Sequence, residues 1–229
     1  MPPPEGGSAT GPAALESVAA AALGRPPHPA EVQALAAYLA LLQRWNATYN
    51  LTAVRDPAQM LVQHLADCLV VVAPLDRQLA ESGRAGDAGS RVLDVGSGAG
   101  LPGVVLAILR PGLDVTCVDS VGKKAAFVRQ VAGALALPNL HAQHCRVENL
   151  QAAPFGVITS RAFASLADFA ALTRRHLAPG GLWMAMKGKR PDDEMARLPA
   201  DVATVFHVEQ LQVPGLDADR CLVWMRAPG

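Results

Sequence analysis

The sequence predicts an α/β fold: a seven-stranded, mostly parallel sheet with one antiparallel strand, carrying a helical extension at its N-terminus. Three observations predict it. Before residue 90, apolar residues recur at helical spacing. After it, short apolar strands alternate with stretches of helical length, the pattern of a sheet covered on both faces. The first of those strands runs into a glycine-rich loop.

Residues 1–12, rich in Pro, Gly and Ser, are expected to form a disordered tail. The helical extension follows over 13–84 and the sheet domain over 85–229. Val32, Leu35, Leu39, Leu42 and Trp45 step by three and four, so they share one face of a helix. Pro29 and Glu31 suit its first turn. Asp56-Pro57 reads as the cap and first position of a second helix running into Val72, and residues 74–90 as a loop or short helix. Strands are expected at 91–95, 114–119, 140–145, 156–160, 181–187, 204–212 and 221–226, with helices at 104–109, 123–135 and 166–177. A short turn around Pro214-Gly215 makes the last two strands antiparallel. No internal repeat is present.

At 229 residues the chain suits one α/β domain with an extension, and with 51% apolar and 17% charged residues it can bury a sizeable core. A bilayer span needs about 18 consecutive apolar residues; the longest candidate, 61–75, is interrupted by Gln63, His64 and Asp67. No basic residue precedes the Ala-rich stretch near the N-terminus, which makes a poor secretory signal. The four cysteines, Cys68, Cys117, Cys145 and Cys221, form no Cys-x-x-Cys pair and suit reduced thiols in a cytoplasmic protein. Net charge is zero but unevenly spread. Residues 91–190 hold 12 basic and 5 acidic side chains, against 5 and 8 before them and 3 and 7 after. A local positive field of this kind suits a polyphosphate partner. A solvated basic face accounts for it too.

The strongest local signal is Val92-Leu93-Asp94-Val95-Gly96-Ser97-Gly98-Ala99-Gly100-Leu101-Pro102-Gly103, with a helix starting at about Pro102. Glycines let the chain turn tightly and a ligand approach the backbone. Asp119 ends the next strand, 23 positions after Gly96, where a carboxylate can accept bonds from ribose hydroxyls. A dinucleotide fingerprint would place glycine at 101, where Leu101 stands. The acid-x-Gly-x-Gly-x-Gly arrangement of Asp94, Gly96, Gly98 and Gly100 instead resembles motif I of the Rossmann-like, class I methyltransferases. Their cofactor, S-adenosylmethionine, needs no pyrophosphate site, and its sulfonium tolerates a nearby carboxylate such as Asp94. A bare turn and a nicotinamide cofactor are the alternatives.

Absences sort the methyl acceptors. Where exocyclic-amine methyltransferases often carry Asn/Asp-Pro-Pro-Tyr/Phe, this chain has Thr159-Ser160-Arg161-Ala162-Phe163; cytosine C5 chemistry needs a cysteine nucleophile, commonly after proline, and no cysteine here follows a proline. Asp192-Asp193-Glu194 reads as the start of an exposed helix rather than a metal site. His141-x-x-His144-Cys145 lies on a strand, where positions 141 and 144 face opposite ways, so no metal is expected. An acceptor that needs no activation remains. Guanine N7 carries a free lone pair, so its methylation is an in-line displacement resting on positioning and electrostatics, with no general base.

Trp45-Asn46-x-x-Tyr49-Asn50-Leu51-Thr52, His64-x-x-Asp67, the glycine loop, Asp119-Ser120-x-x-Lys123-Lys124, Arg146-Val147-Glu148, Ser160-Arg161-Ala162 and Lys187-Gly188 occur in order. Together they resemble the RsmG (GidB) family of 16S ribosomal RNA guanine-N7 methyltransferases over about residues 30–228. Cys68 stands where that family usually has serine. The resemblance implies cofactor contacts at Gly96, Leu101, Val147, Glu148 and Arg161, and 16S ribosomal RNA or the 30S subunit as partner. Arg161 is also the one candidate for a catalytic role, with a structural ion pair as its alternative. Lys123, Lys124, Arg129 and Lys187 flank the expected crevice and read as phosphate contacts, or else as surface charges. Helix caps and internal polar contacts explain Asn46, Asn50 and His64 as well as substrate contact does. The protein is expected to be a cytoplasmic monomer with no membrane partner. A methyltransferase of small molecules or proteins, and a non-catalytic RNA-binding sensor, are the rival readings.

Overall fold

The structure, a computed structural model, describes residues 11–83, 90–161, 163 and 165–228. The tail expected over 1–12 therefore lies almost wholly outside the described residues, and Pro12 already opens the first helix.

Seven strands form one sheet in the order β3-β2-β1-β4-β5-β7-β6. They are β1 (Ser90–Val95), β2 (Leu113–Asp119), β3 (Leu140–His144), β4 (Phe155–Ser160), β5 (Leu177–Lys187), β6 (Thr204–Leu211) and β7 (Arg220–Arg226). β1 to β5 pair in parallel, while β7 runs antiparallel to both β5 and β6. Parallel strands buried on both faces read as nearly continuous apolar runs, yet the two-residue period still sorts them. Val92, Met184 and Trp224 enter one core, Leu93, Trp183 and Val223 the other. β5 begins four residues before the expected Gly181, with a register shift opposite Phe155–Val157.

The sheet's first core is covered by α1 (Pro12–Leu23), α2 (Pro29–Tyr49) and the helical run 57–81. α6 (Gly103–Leu109) and α7 (Gly122–Ala134) complete that layer. α2 buries Leu35, Tyr38, Leu39 and Leu42, while Val32 and Trp45 pack at its margin. It starts with Pro29 and a capping box in which the His28 amide donates to Glu31 at 2.8 Å. α8 (Leu166–Thr173) and the short α9 (Asp192–Ala196) cover the opposite face. The helix expected to reach residue 177 tightens at Arg174–His176 into a 3-10 turn, and Leu177 already belongs to β5.

The helix expected to run from Pro57 into Val72 is broken into pieces. α3 (Pro57–Met60) is capped by Asp56, whose carboxylate accepts from the Gln59 amide at 2.8 Å. A π-helical turn (Leu61–Ala66) and α4 (Asp67–Leu69) follow, then α5 (Val72–Glu81). Residues expected as a loop from 74 thus continue as helix to Glu81. By length and composition the 25-residue run Pro57–Glu81, with a mean hydropathy of 1.5 in its most apolar window, qualifies to cross a membrane, but 72% of that window is buried inside this protein. Its apolarity is that of a core element. The π-turn matters for the site, because such turns re-aim side chains within a helix, and here it carries His64 and leads directly into Asp67.

Strand order reverses between β1 and β4, so a crevice opens beyond their carboxyl ends, where open α/β sheets bind ligands.

Candidate functional site

The glycine loop leaves β1 along a path that L side chains resist. Gly96, Gly98 and Gly100 have φ of 65°, 59° and 83°, a region that costs other residues about 1–2 kcal/mol. Gly96 and Ser97 amides donate to the Val118 carbonyl, and Gly100 and Leu101 amides to that of Ser97. Asp119 accepts from the Gly98 amide at 2.9 Å and the Val121 amide at 2.8 Å. A Cβ on Gly96 or Gly98 would meet nothing within 4 Å, so the outer face of the loop is open to a ligand. On the inner side Asp94, fully buried, accepts from the Gly103 amide at 2.9 Å. Its Oδ1 has no hydrogen-bond partner among the described residues, and burial raises its pKa to about 7.

Two cavities open at this end of the sheet. The first, about 320 Å³, is lined by Gly96, Asp119, Ser120, Val147, Glu148 and Phe163, among others. It combines an acid at the end of β2, an apolar floor and an exposed carboxylate at Glu148. The second, about 380 Å³, lies between the π-turn and the ends of β4, β5 and β7. Its wall is cationic: Arg161, Lys187 and Arg220 stand around Asp67 and His64. Asp67 receives Arg220 Nε at 2.7 Å and Arg161 Nη1 at 3.3 Å, so two guanidinium groups share one carboxylate. Arg161 and Phe163, two residues apart, face different cavities.

Residues 31–223 match the model of the GidB family, described as rRNA small subunit methyltransferase G. Proteins of that name from Leptothrix cholodnii and Acidovorax ebreus are 63% and 60% identical to this chain over 207 residues. They cover 90% of it and 92% and 91% of their own lengths. The chain belongs to the GidB family. Its cofactor is S-adenosylmethionine. Among solved structures, 1,6-didemethyltoxoflavin-N1-methyltransferase from Burkholderia thailandensis matches with a TM-score of 0.57 at 16% identity, covering 84% of this chain and 90% of that one. TrmN from Thermus thermophilus gives 0.54 at 18%, covering 73% and 53%. Both likenesses are of fold, the Rossmann-like methyltransferase fold.

Within this family member the expected cofactor residues separate. Gly96, Asp119, Val147 and Glu148 line the first cavity; Asp94 and Leu101 lie buried beneath the loop, at 0% and 2% exposure. Arg161 borders the second cavity instead, paired with Asp67 and with the Gln63 carbonyl. The cations differ as well. Lys187 is paired with Glu194 at 2.9 Å and Lys124 approaches Asp119 at 3.9 Å. Lys123 and Arg129 are exposed and make no ion pair among the described residues. Glu194, read from sequence as part of an exposed acidic helix start, also accepts from the Leu166 amide at 2.9 Å, tying α9 to α8. His141 pairs with Asp114 at 2.9 Å, and the His144 ring meets the Ser120 carbonyl at 3.2 Å.

Much of the Trp-Asn-x-x-Tyr-Asn-Leu-Thr segment has a structural explanation. Asn46 donates to the Val54 carbonyl at 2.9 Å and accepts from the Thr52 amide at 2.8 Å. Asn50 caps α2 in the left-handed conformation. Thr52 Oγ1 lies 2.7 Å from His64 Nε2. The Thr52 hydroxyl also accepts from the Val54 amide at 3.2 Å, and the buried His64 Nδ1 has no hydrogen-bond partner among the described residues. Burial, then Arg161, lowers the His64 pKa and keeps the ring neutral. Cys68 is buried in the core, and burial pushes its thiol up, so it stays protonated. Sequence reasoning missed Tyr38 and Arg220. The one signal for Tyr38 is its position at helical spacing from Leu35 and Leu42, a polar tip on the buried face of α2. Arg220 carried no sequence signal, being 153 positions from the acid it meets.

Proposed function

We propose that this protein transfers the methyl group of S-adenosylmethionine to N7 of a guanosine in 16S ribosomal RNA, acting on the RNA or the 30S subunit in the cytoplasm. The observation that carries the reading is the pair of cavities at the strand-order reversal. One has the acid and open glycine loop that suit a nucleoside; the other has a cationic wall that suits a nucleotide. The residues fit the cofactor: the loop's outer face is open, and the buried Asp94 Oδ1 lacks a partner beneath it. Asp119 and Glu148 would hold the nucleoside hydroxyls and the adenine edge, with Val147 and Phe163 as apolar walls. When bound, the cofactor supplies an electrophilic methyl on a sulfonium.

The chain's own residues position and neutralise. N7 attacks with its lone pair, so no side chain has to remove a proton, and none in the second cavity is arranged to. Burial and then Arg161 lower the pKa of His64 and make it a weaker base, and Asp67 is engaged by two arginines. Arg161 and Arg220 keep guanidinium N–H groups free of Asp67 for a phosphate or a base carbonyl. Because duplex N7 lies in a deep, narrow groove, the target guanosine enters from a loop or splayed out of its stack. The product base is cationic, and Asp67 offsets part of the positive charge of Arg161 and Arg220 in the same cavity.

The test incubates the protein and S-adenosylmethionine with ribosomal RNA and 30S subunits from a strain lacking the modification, then identifies digested nucleosides by mass spectrometry. New 7-methylguanosine, abolished by Gly96→Asp, is expected. A different methylated nucleoside overturns the N7 assignment and leaves fold and cofactor standing.

A further inference from the structure

Internal contacts account for Asn46, Asn50 and Thr52 in the segment after Trp45, but not for the ring of Tyr49. Tyr49 is the most exposed of the large apolar or aromatic side chains among the described residues, at 46%. The ring is not loose. Trp45 lies beneath it at 4.9 Å between centroids, and Trp45 in turn meets the buried Phe127 edge-on at 5.5 Å. Two exposed cations are tethered to Tyr49 and its neighbour. Lys123 Nζ donates to the Tyr49 carbonyl at 2.6 Å, and Arg55 Nη2 to Asn50 Oδ1 at 2.9 Å. Both acceptors are neutral, and neither cation is in an ion pair among the described residues. Each keeps its full charge, in contrast to Lys187, which Glu194 neutralises.

Cations at a helix C-terminus stabilise the helix dipole. That explains Arg55 and Lys123 at the end of α2, but not an aromatic ring left half exposed beside them. An aromatic face flanked by uncompensated cations is how single-stranded nucleic acid is gripped without sequence readout: the ring stacks a base and the cations hold the adjoining phosphates. The location fits. Lys123 follows Ser120, a wall of the cofactor cavity, by three residues, and Thr52, three residues after Tyr49, is bonded to His64 in the wall of the second.

We infer that Tyr49, Arg55 and Lys123 form a docking patch for an unpaired nucleotide of the substrate RNA, outside the cavity that takes the target base. This rests on the ribosomal RNA reading above. Binding of 16S RNA and of 30S subunits is measured without turnover, over a series of salt concentrations, for wild type, Tyr49→Ala, Tyr49→Phe, Arg55→Gln and Lys123→Gln. Tyr49→Ala is expected to raise Kd about ten-fold or more, Tyr49→Phe to stay within about two-fold of wild type, and S-adenosylmethionine affinity to hold in all. Each cation variant should lower the slope of log affinity against log salt by about one. A Kd for Tyr49→Ala equal to wild type overturns the patch, as does a Phe variant as weak as Ala. Should Tyr49→Ala unfold, the two surface cation variants decide, and unchanged salt slopes overturn it. Failure of wild type to make 7-methylguanosine while these binding effects persist would sink the N7 reading and leave the patch intact.

Discussion

The Tyr38 hydroxyl donates a 2.9 Å hydrogen bond to the carbonyl of Ala99, 61 residues away, with both groups buried. A helix of the N-terminal extension thereby fixes the backbone of the glycine loop from behind. Tyr38 is fully buried and packs against Phe127 with centroids 6.3 Å apart. The extension and the sheet share one core, so loop geometry and helix packing are a single problem for this chain.

Tyr38→Phe keeps the packing and leaves the buried Ala99 carbonyl without that donor. Stability should fall by about 1–2 kcal/mol. Calorimetric titration should also show weaker S-adenosylmethionine binding, because the loop loses its brace. Unchanged cofactor affinity at reduced stability would confine Tyr38 to folding.

Substitutions along the loop should separate strain from occlusion. An alanine Cβ at Gly100 would lie 2.4 Å from Val104 Cγ2, at φ of 83°, so Gly100→Ala should cost roughly 2–4 kcal/mol in urea unfolding. At Gly96 the same Cβ meets nothing within 4 Å. Gly96→Ala should therefore cost only ~1 kcal/mol of backbone strain while weakening the cofactor more than Gly100→Ala does, per unit of lost stability.

Asp94 makes stability pH-dependent. Burial raises its pKa to about 7, partly offset by the Gly103 amide and Arg161, while Asp119 pushes it up further. Between the ordinary carboxylate value and 7 the folded state holds more protons than the unfolded one. The contribution of Asp94 to stability therefore falls as pH rises through that window, by up to ~4 kcal/mol, and is flat above it. Unfolding measured at pH 5 and pH 8 should show more than half of this loss, ~2–3 kcal/mol, in wild type and a much smaller one in Asp94→Asn.

Asp67→Asn leaves Arg161 and Arg220 without their shared counter-charge. Both arginines are 27% exposed at the side chain, so water softens the penalty to about 2–4 kcal/mol. The second cavity also gains one positive charge. RNA should then bind as tightly or tighter, with a steeper salt dependence, while the rate at saturating RNA falls because the guanidinium groups lose their fixed orientation. A parallel loss of both binding and rate would indicate general collapse of the cavity.

The sequence by itself determined what depends on neighbours along the chain. Short apolar runs alternating with helical stretches placed all seven strands within a few residues, because both patterns are set by neighbours along the chain. Glycine spacing from 96 to 100 located the loop, because a left-handed backbone is a single-residue constraint. Val147 and Glu148, which the family resemblance implied, line the first cavity with Gly96 and Asp119, because the parallel sheet brings successive strand ends side by side. Tertiary structure alone decided the rest. Whether the apolar run from Pro57 to Glu81 meets lipid or core is settled by what packs on it. Tyr38 finds Ala99 and Asp67 finds Arg220 only once helices are laid on the sheet. The lysines look alike in sequence, yet Glu194 neutralises Lys187 whereas Lys123 keeps its charge. Charge compensation is set by distance in space, and only packing fixes those distances.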